Sequence, residues 1–326
     1  MMNMNASLGI DIGGTNTAIG IIDENGKVLA KSGIKTPKHG DAKKYVEELA
    51  EAIKELVSEK GQDLNILGIG IGAPNANYNL GTIEHPANLS FKGVTPLVDL
   101  LKEQFPKFVH IALTNDANAA TIGEMIYGGA KGMKNFVMYT LGTGVGGGIV
   151  VNGDLVYGHS GFAGENGHTM LIPGGRKCGC GQHGHLEAYC SAPGMARTAL
   201  EIIARDNAVD SPLAQIPFCR LESKDIFNAA EQGDPVALEV FEKTSEYLGI
   251  GLADVVHIFS PEAIFLFGGP TAAGDYLLTP TKNAMEEHVM TVFKDKVDIR
   301  VSALDQGDAA IIGASALVLQ EMKKDK

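Results

Sequence analysis

The sequence predicts an α/β protein of two lobes facing each other across a cleft. Three observations predict it: the length, an alternation of strand-like with helix-like segments, and a structural device that occurs twice. At 326 residues the chain exceeds one typical compact domain, so two cores are expected. The alternation of elements implies lobes with a largely parallel sheet. The repeated device is an apolar strand, a glycine turn, a second strand and an Asn-Gly hairpin. Two similar lobes built this way would place a phosphate-sized turn on either wall of a cleft.

In the first copy, Leu8, Ile10 and Ile12 alternate with small or polar residues and Gly13-Gly14 turns the chain. Ala18 to Ile22 then run apolar into the turn Asp23-Glu24-Asn25-Gly26, with a third strand from Lys27 to Lys31. In the second copy, Phe136 to Leu141 is apolar, Gly142-Thr143-Gly144 turns, and Gly147 to Val151 leads into Asn152-Gly153 before Leu155 and Val156. Between the copies, Val46, Leu49, Ile53, Leu56 and Val57 recur at helical spacing, with Asp41 as N-cap and Gly61 as stop. Apolar runs at Leu67 to Ile71 and His110 to Leu113 end in loops holding Gly72-Ala73-Pro74-Asn75 and Thr114-Asn115-Asp116. In such sheets ligands sit at the carboxyl ends of strands. Motif position sets the expected division: 1–115 with about 309–326 as an N-terminal lobe, and 116–308 as a C-terminal lobe carrying a loop at 168–187.

Composition narrows the function classes. Apolar residues at 44% and charged residues at 20% are the balance of a soluble globular protein, and 41 glycines imply many tight turns. The net charge of −12, with no basic cluster beyond Lys323-Lys324-Asp325-Lys326, argues against a nucleic-acid or membrane-surface partner. No signal-peptide pattern opens the chain and no apolar run approaches the roughly 20 residues that span a bilayer, so a cytoplasmic location is expected. Of four cysteines, Cys178 and Cys180 form a Cys-Gly-Cys triplet beside histidines, which in a reducing compartment indicates metal rather than a bridge. Cys190 and Cys219 read as ordinary core or near-surface thiols.

Gly142-Thr143-Gly144-Val145-Gly146 imitates a dinucleotide fingerprint, but a strand and hairpin follow it where that fingerprint needs a helix. No Gly-Lys-Ser/Thr follows either glycine cluster, which excludes a P-loop. The remaining use is a pair of turns, Gly13-Gly14-Thr15 and Gly142-Thr143-Gly144, whose amides and hydroxyls suit a triphosphate; taken singly, each reads first as an ordinary turn. Asp116, between a strand and an Ala-rich helix, is on one account an N-cap. On the other it is a general base that accepts a hydroxyl proton and aims the oxygen at a γ-phosphorus. Glu165, His168 and Glu187 are polar groups suited to adjacent hydroxyls of a polyol, though each alone is equally a surface acid or a core histidine. His168, Cys178, Cys180 and His185 offer four ligands and no open position, the pattern of structural zinc.

Taken in order, these motifs resemble those of the ROK family (repressor, open reading frame, kinase), most nearly its bacterial glucokinases, over nearly the whole chain. Asp11-Ile12-Gly13-Gly14-Thr15-Asn16-Thr17 resembles the first phosphate motif and Leu141 to Gly148 the second. Ile264 to Gly269 resembles the strand and glycine pair beside the adenosine, and Gly307 to Ala314 the closing helix that returns to the N-terminal lobe. The specific signal is Gly-Glu-Asn-Gly-His at 164–168, followed by Cys-Gly-Cys-Gly-Gln-His-Gly-His-Leu-Glu at 178–187.

The resemblance implies a two-lobed actin-like ATPase (ribonuclease H-like) fold and ATP-dependent transfer of the γ-phosphoryl group to the 6-hydroxyl of glucose. Asp116 would be the base, with Asn88, Asn115, Glu165, His168 and Glu187 as sugar contacts. Asp11, Gly13, Gly14, Thr15, Thr143, Gly144, Gly268 and Gly269 would hold MgATP, Asp11 reaching Mg²⁺ through water. Zinc would be bound by His168, Cys178, Cys180 and His185, and a homodimer is implied. Two departures stand out. His185 occupies a position where a cysteine is usual, with His183 as a competitor, and Phe91 stands where glucokinases often have tryptophan, an aromatic wall kept in smaller form. A kinase for another sugar (N-acetylglucosamine, N-acetylmannosamine, fructose or mannose) is the first alternative. A sugar-responsive repressor is the more remote one, since only ten residues precede Asp11.

Overall fold

The computed structural model describes residues 4–86 and 89–325. The chain divides into two compact units: Met1–Met133 with Leu155–Gly164 and Ala303–Lys326, and Lys134–Asp154 with Glu165–Ser302.

The first unit is built on β1 (Met4–Ile12), β2 (Asn16–Asp23), β3 (Val28–Lys35) and β4 (Leu64–Gly72). A small sheet of β5 (Ala76–Asn77), β6 (Thr82–Glu84) and β7 (Val94–Thr95) follows, and β8 (His110–Thr114) completes the main sheet. The main sheet has the order β3-β2-β1-β4-β8, with antiparallel pairs up to β1 and parallel pairs beyond it. Side chains alternate across a strand, so the register sorts the two faces. Leu8, Ile10, Ile69, Ile71, Ile111 and Leu113 join Tyr45, Leu49 and Ile53 of helix α1 (Ala42–Lys60) in one core. Asp41 caps α1 by accepting from the Lys44 amide at 3.1 Å, and the helix stops at Gly61.

The opposite face carries glycine where a helix presses on the strands. A methyl group on Gly9 would lie 1.9 Å from the Ile311 carbonyl oxygen, and one on Gly70 would lie 1.8 Å from that of Ala314. The C-terminal helix Ala309–Lys324 therefore packs directly on β1 and β4. Beyond α2 (Leu97–Gln104), helix α3 (Asp116–Ile126) crosses the C-terminal helix at Gly123 and Gly313. There a Cβ on Gly123 would meet the Gly313 Cα at 2.9 Å. This packing explains why the units divide after Met133 and not at Asp116: α3 is bound to the first unit's own sheet and C-terminal helix. Residues from Ala303 onward return to that unit, slightly earlier than 309.

The second unit repeats the plan with β9 (Phe136–Leu141), β10 (Val145–Val151), β11 (Asp154–Leu155), β12 (Ala263–Phe267) and β13 (Asp298–Val301) in the order β11-β10-β9-β12-β13. Again a hairpin precedes two parallel additions. Its hairpin turn uses Asn152 and Gly153, both at positive φ (56° and 88°), the conformation that two-residue hairpins require. The helices are α4 (Glu187–Cys190), α5 (Ala192–Asp206), α6 (Ser223–Glu231), the long buried α7 (Pro235–Phe259) and α8 (Leu278–His288). Among the described residues no helix is long and apolar enough to cross a membrane.

Candidate active site

In the first unit the parallel strands end in step. Asp11 pairs with Gly72 and Gly72 with Thr114, so the loops after β1, β4 and β8 leave the sheet together. Alternation places Asp11 on the face of Gly9, the side covered by the C-terminal helix and α3. Gly72 makes room there, since a Cβ on it would lie 3.4 Å from Ala119 and 3.8 Å from the Asp116 Cα. Burial pushes the Asp11 carboxyl up to about 6, and the nearby negative charge of Asp116 pushes the same way.

Asn115, not Asp116, is the N-cap of α3: its side chain accepts from the Asn118 amide at 2.6 Å. Asp116 is the first helical residue, is exposed, and accepts from the Ala117 amide at 2.9 Å. The capping role weighed for it thus belongs to its neighbour. Asn88 lies outside the described residues. Phe91 forms no aromatic wall: it is 3% exposed and stacks on Tyr45 with ring centroids 5.8 Å apart, a core position.

The turn after β1 is closed by the Gly13 amide donating to the Asn16 carbonyl at 3.0 Å, and it leaves Gly14 and Thr15 exposed. Thr36 braces it, donating to the Gly13 carbonyl at 2.7 Å and bonding the Thr17 hydroxyl at 3.0 Å. Nothing in the sequence singled out Thr36, because it acts from the end of a neighbouring strand.

In the second unit the turn after β9 folds back through the Gly142 amide to the Gly144 carbonyl at 2.9 Å, with Thr143 exposed. Gly268, at the end of β12, has φ +111°, and a Cβ there would lie 2.0 Å from the Leu141 carbonyl oxygen. The Gly268-Gly269 turn is thereby held against the end of β9. Glu187 ties the Gly142 turn to the cysteine loop: Oε2 accepts from the Val145 amide at 3.1 Å and Oε1 from the Cys178 thiol at 3.1 Å.

His168, Cys178, Cys180 and His185 converge, with one donor atom of each within 4.8 Å of the others. The Cys178 Sγ to His168 Nδ1 distance is 3.6 Å and the Cys180 Sγ to His185 Nδ1 distance is 3.3 Å. A tetrahedral zinc with its usual bonds to sulfur and nitrogen would give S···N edges of about 3.5 Å, so this donor set fits that ion. His183 is exposed and stands outside the group. The other ring nitrogen of His168, Nε2, lies 3.8 Å from the Glu165 carboxylate, so one imidazole faces the cysteines and the exposed Glu165 at once.

Arg176, two residues before Cys178, anchors this loop. It lies 4.7 Å over the Tyr189 ring, bonds the Thr198 hydroxyl at 3.0 Å and pairs with Glu201. Its one sequence signal was a basic residue inside a glycine-rich loop, which does not distinguish an anchor from a surface charge.

The model of the ROK family matches residues 7–321. A protein named glucokinase from Halalkalibacterium halodurans is 37% identical, over 96% of this chain and 95% of its own length. The crystal structure of a ROK family glucokinase from Streptomyces griseus in complex with glucose and AMPPNP is 31% identical, with a TM-score of 0.78, over 97% of this chain and 99% of that one. A xylose repressor of Caldicellulosiruptor bescii is 27% identical, over 97% of this chain but 78% of its own length.

Proposed function

The chain belongs to the ROK family and has its two-domain actin-like ATPase fold, and on that footing we propose that it is an ATP-dependent sugar kinase that phosphorylates the 6-hydroxyl of glucose. The observation that carries this reading is the division of labour at the end of β8. Because Asn115 caps α3, Asp116 accepts, among the described residues, only the Ala117 amide through Oδ1, and its exposed carboxylate stands just past a strand end. Similarity to glucokinases over the full length supports the choice of a kinase over the repressors of the same family.

In the proposed reaction Asp116 takes the proton of the sugar hydroxyl as its oxygen bonds to the γ-phosphorus and the bond to the ADP oxygen breaks. Gly13, Gly14, Thr15, Thr143 and Gly144 supply amides and hydroxyls to the phosphates, and Gly268-Gly269 flanks the adenosine. Asp11, on the Asp116 face of β1, would hold Mg²⁺, which would neutralise phosphate charge. Asn88, Asn115, Glu165, His168 and Glu187 bind the sugar hydroxyls. His168, Cys178, Cys180 and His185 would hold a structural zinc, and with its near nitrogen so engaged the ring of His168 would present its far nitrogen to the substrate. We further propose a cytoplasmic homodimer, as the resemblance implies.

The test is phosphorylation rate across glucose, mannose, fructose, N-acetylglucosamine and N-acetylmannosamine with MgATP. Glucose is expected to have the highest kcat/KM. A higher value for another sugar reassigns the substrate, and no turnover with any of them refutes the kinase.

A further inference from the structure

The segment Leu155–Gly164 belongs to the first compact unit, although the residues on both sides of it, Asp154 and Glu165, belong to the second. Three consecutive residues of the first unit seat this strap. The Tyr78 ring lies flat on Tyr157, with centroids 3.9 Å apart and planes 8° from parallel. Asn77, buried, donates to the Ser160 carbonyl at 3.0 Å. Gly161, at φ +86°, approaches it so closely that a Cβ would stand 2.3 Å from Asn77 Oδ1. Asn79 donates to the Gly158 and His159 carbonyls at 3.3 and 3.4 Å.

The seat is itself held rigid. Asn77 also donates to Glu84 at 2.9 Å and accepts from the Asn79 amide at 3.1 Å. The Tyr78 hydroxyl bonds Glu321 of the C-terminal helix at 2.6 Å, and the Lys324 ammonium lies 4.5 Å from the Tyr78 ring centroid and bonds its hydroxyl.

We propose that Asn77, Tyr78 and Asn79 form a clip that positions Glu165 and His168 through the strap ending one residue before Glu165. The proposal rests on the assignment of those two residues as sugar contacts. Glu165 follows Gly164, the last residue of the strap, directly, so the strap sets where its backbone begins. A strap released from Tyr78 and Asn77 samples more conformations, and binding the sugar must then remove that freedom. None of the three clip residues is among the assigned substrate contacts. They are positioning residues, and their loss falls on the sugar and not on the nucleotide.

The experiment varies glucose and MgATP separately for full-length Tyr78→Leu, Tyr78→Phe and Asn79→Ala, and follows hydrogen exchange of the Gly158 to Gly164 amides without substrate. Loss of the ring stack in Tyr78→Leu is expected to raise the sugar KM about ten-fold, with the MgATP KM within about two-fold and faster strap exchange. Tyr78→Phe keeps the stack but loses the hydroxyl bonds to Glu321 and Lys324, and is expected to fall between wild type and Tyr78→Leu in both readouts. Asn79 is exposed, so Asn79→Ala folds even if Tyr78→Leu does not, and it is expected to raise the sugar KM about three-fold. Unchanged sugar KM in the folded variants, or equal loss toward both substrates, overturns the clip. A wild-type chain that phosphorylates no sugar overturns the kinase assignment instead. Strap exchange unaltered in Asn79→Ala and Tyr78→Leu would in that case also dismiss the clip.

Discussion

Asn115 and Asp116 are neighbours with separate tasks: the Asn115 side chain holds the Asn118 amide at 2.6 Å, while Asp116 opens the helix with an exposed carboxylate. Asp116 itself accepts one amide, that of Ala117 at 2.9 Å on Oδ1, and leaves the cap bond across the first turn to Asn115. The separation lets the charge of Asp116 be removed without touching the cap, while a change at Asn115 removes the cap and a proposed sugar contact together.

Asp116→Asn should therefore lower kcat/KM by about 10²- to 10⁴-fold, the usual contribution of a positioned base. Its melting temperature should hardly move. Asn115→Ala should instead destabilise by about 1 kcal/mol through loss of the cap and raise the sugar KM through loss of the proposed contact, with the base still in place. Coupled-enzyme kinetics and thermal melts of the two variants distinguish these outcomes, and an active Asp116→Asn would remove the assigned base.

Asp11 gives a pH signature of known sign. Its carboxyl is pushed up to about 6 by burial, with Asp116 adding to the effect. If the ionised form is needed to hold hydrated Mg²⁺, kcat/KM for MgATP should fall as pH drops below about 6. Stability runs the other way. Between the ordinary 3.8 and about 6 the folded chain binds more protons at this site than the unfolded one, so its contribution is lost as pH rises through that window. Asp11→Asn should remove this slope, melting higher than wild type above pH 6 while losing activity. Paired melting curves across pH 4 to 8 measure the difference.

Much of this was legible in the sequence because it depends on local pattern. The doubled strand-turn-strand device, the cap at Asp41 and the stop at Gly61 all follow from short-range rules, and the structure repeats one strand order in both units. What escaped depends on partners distant in sequence. Phe91 reads as a site aromatic only because the resemblance places a tryptophan there, but Tyr45, which stacks on it in the core, is 46 residues away. The bracing of Gly13 by Thr36 and of Tyr157 by Tyr78 is similarly long-range. The boundary expected at Asp116 moved to Met133 because Gly123 and Gly313 let two helices meet, a contact that no local motif announces.

Those glycines support a prediction about stability alone. Gly70→Ala would place a methyl 1.8 Å from the Ala314 carbonyl oxygen, so the C-terminal helix must move off β4. Overpacking of this kind costs about 1–3 kcal/mol, occasionally more. Gly142→Ala, where nothing lies within 4 Å of the added carbon, should leave stability within about 0.5 kcal/mol. Denaturant midpoints of the two variants test whether the close approach, and not glycine replacement as such, is what matters.

The metal prediction separates the two histidines. His185 Nδ1 is 3.3 Å from Cys180 Sγ, while His183 lies outside the convergent group. His183→Ala should thus keep about one zinc per chain after dialysis, whereas His185→Ala and Cys178→Ser should lose it, since three ligands rarely hold structural zinc. The effect should extend past the loop, because His168 would give one nitrogen to the metal and presents the other toward Glu165 at 3.8 Å. Sugar KM should accordingly rise in the two metal-losing variants with little change in the MgATP KM, a pattern expected of a lost outer support. Metal analysis with kinetics on the same samples decides it. Zinc retained by His185→Ala and lost by His183→Ala would mean that the loop rearranges around the ion and that the present cluster is not its ligand set.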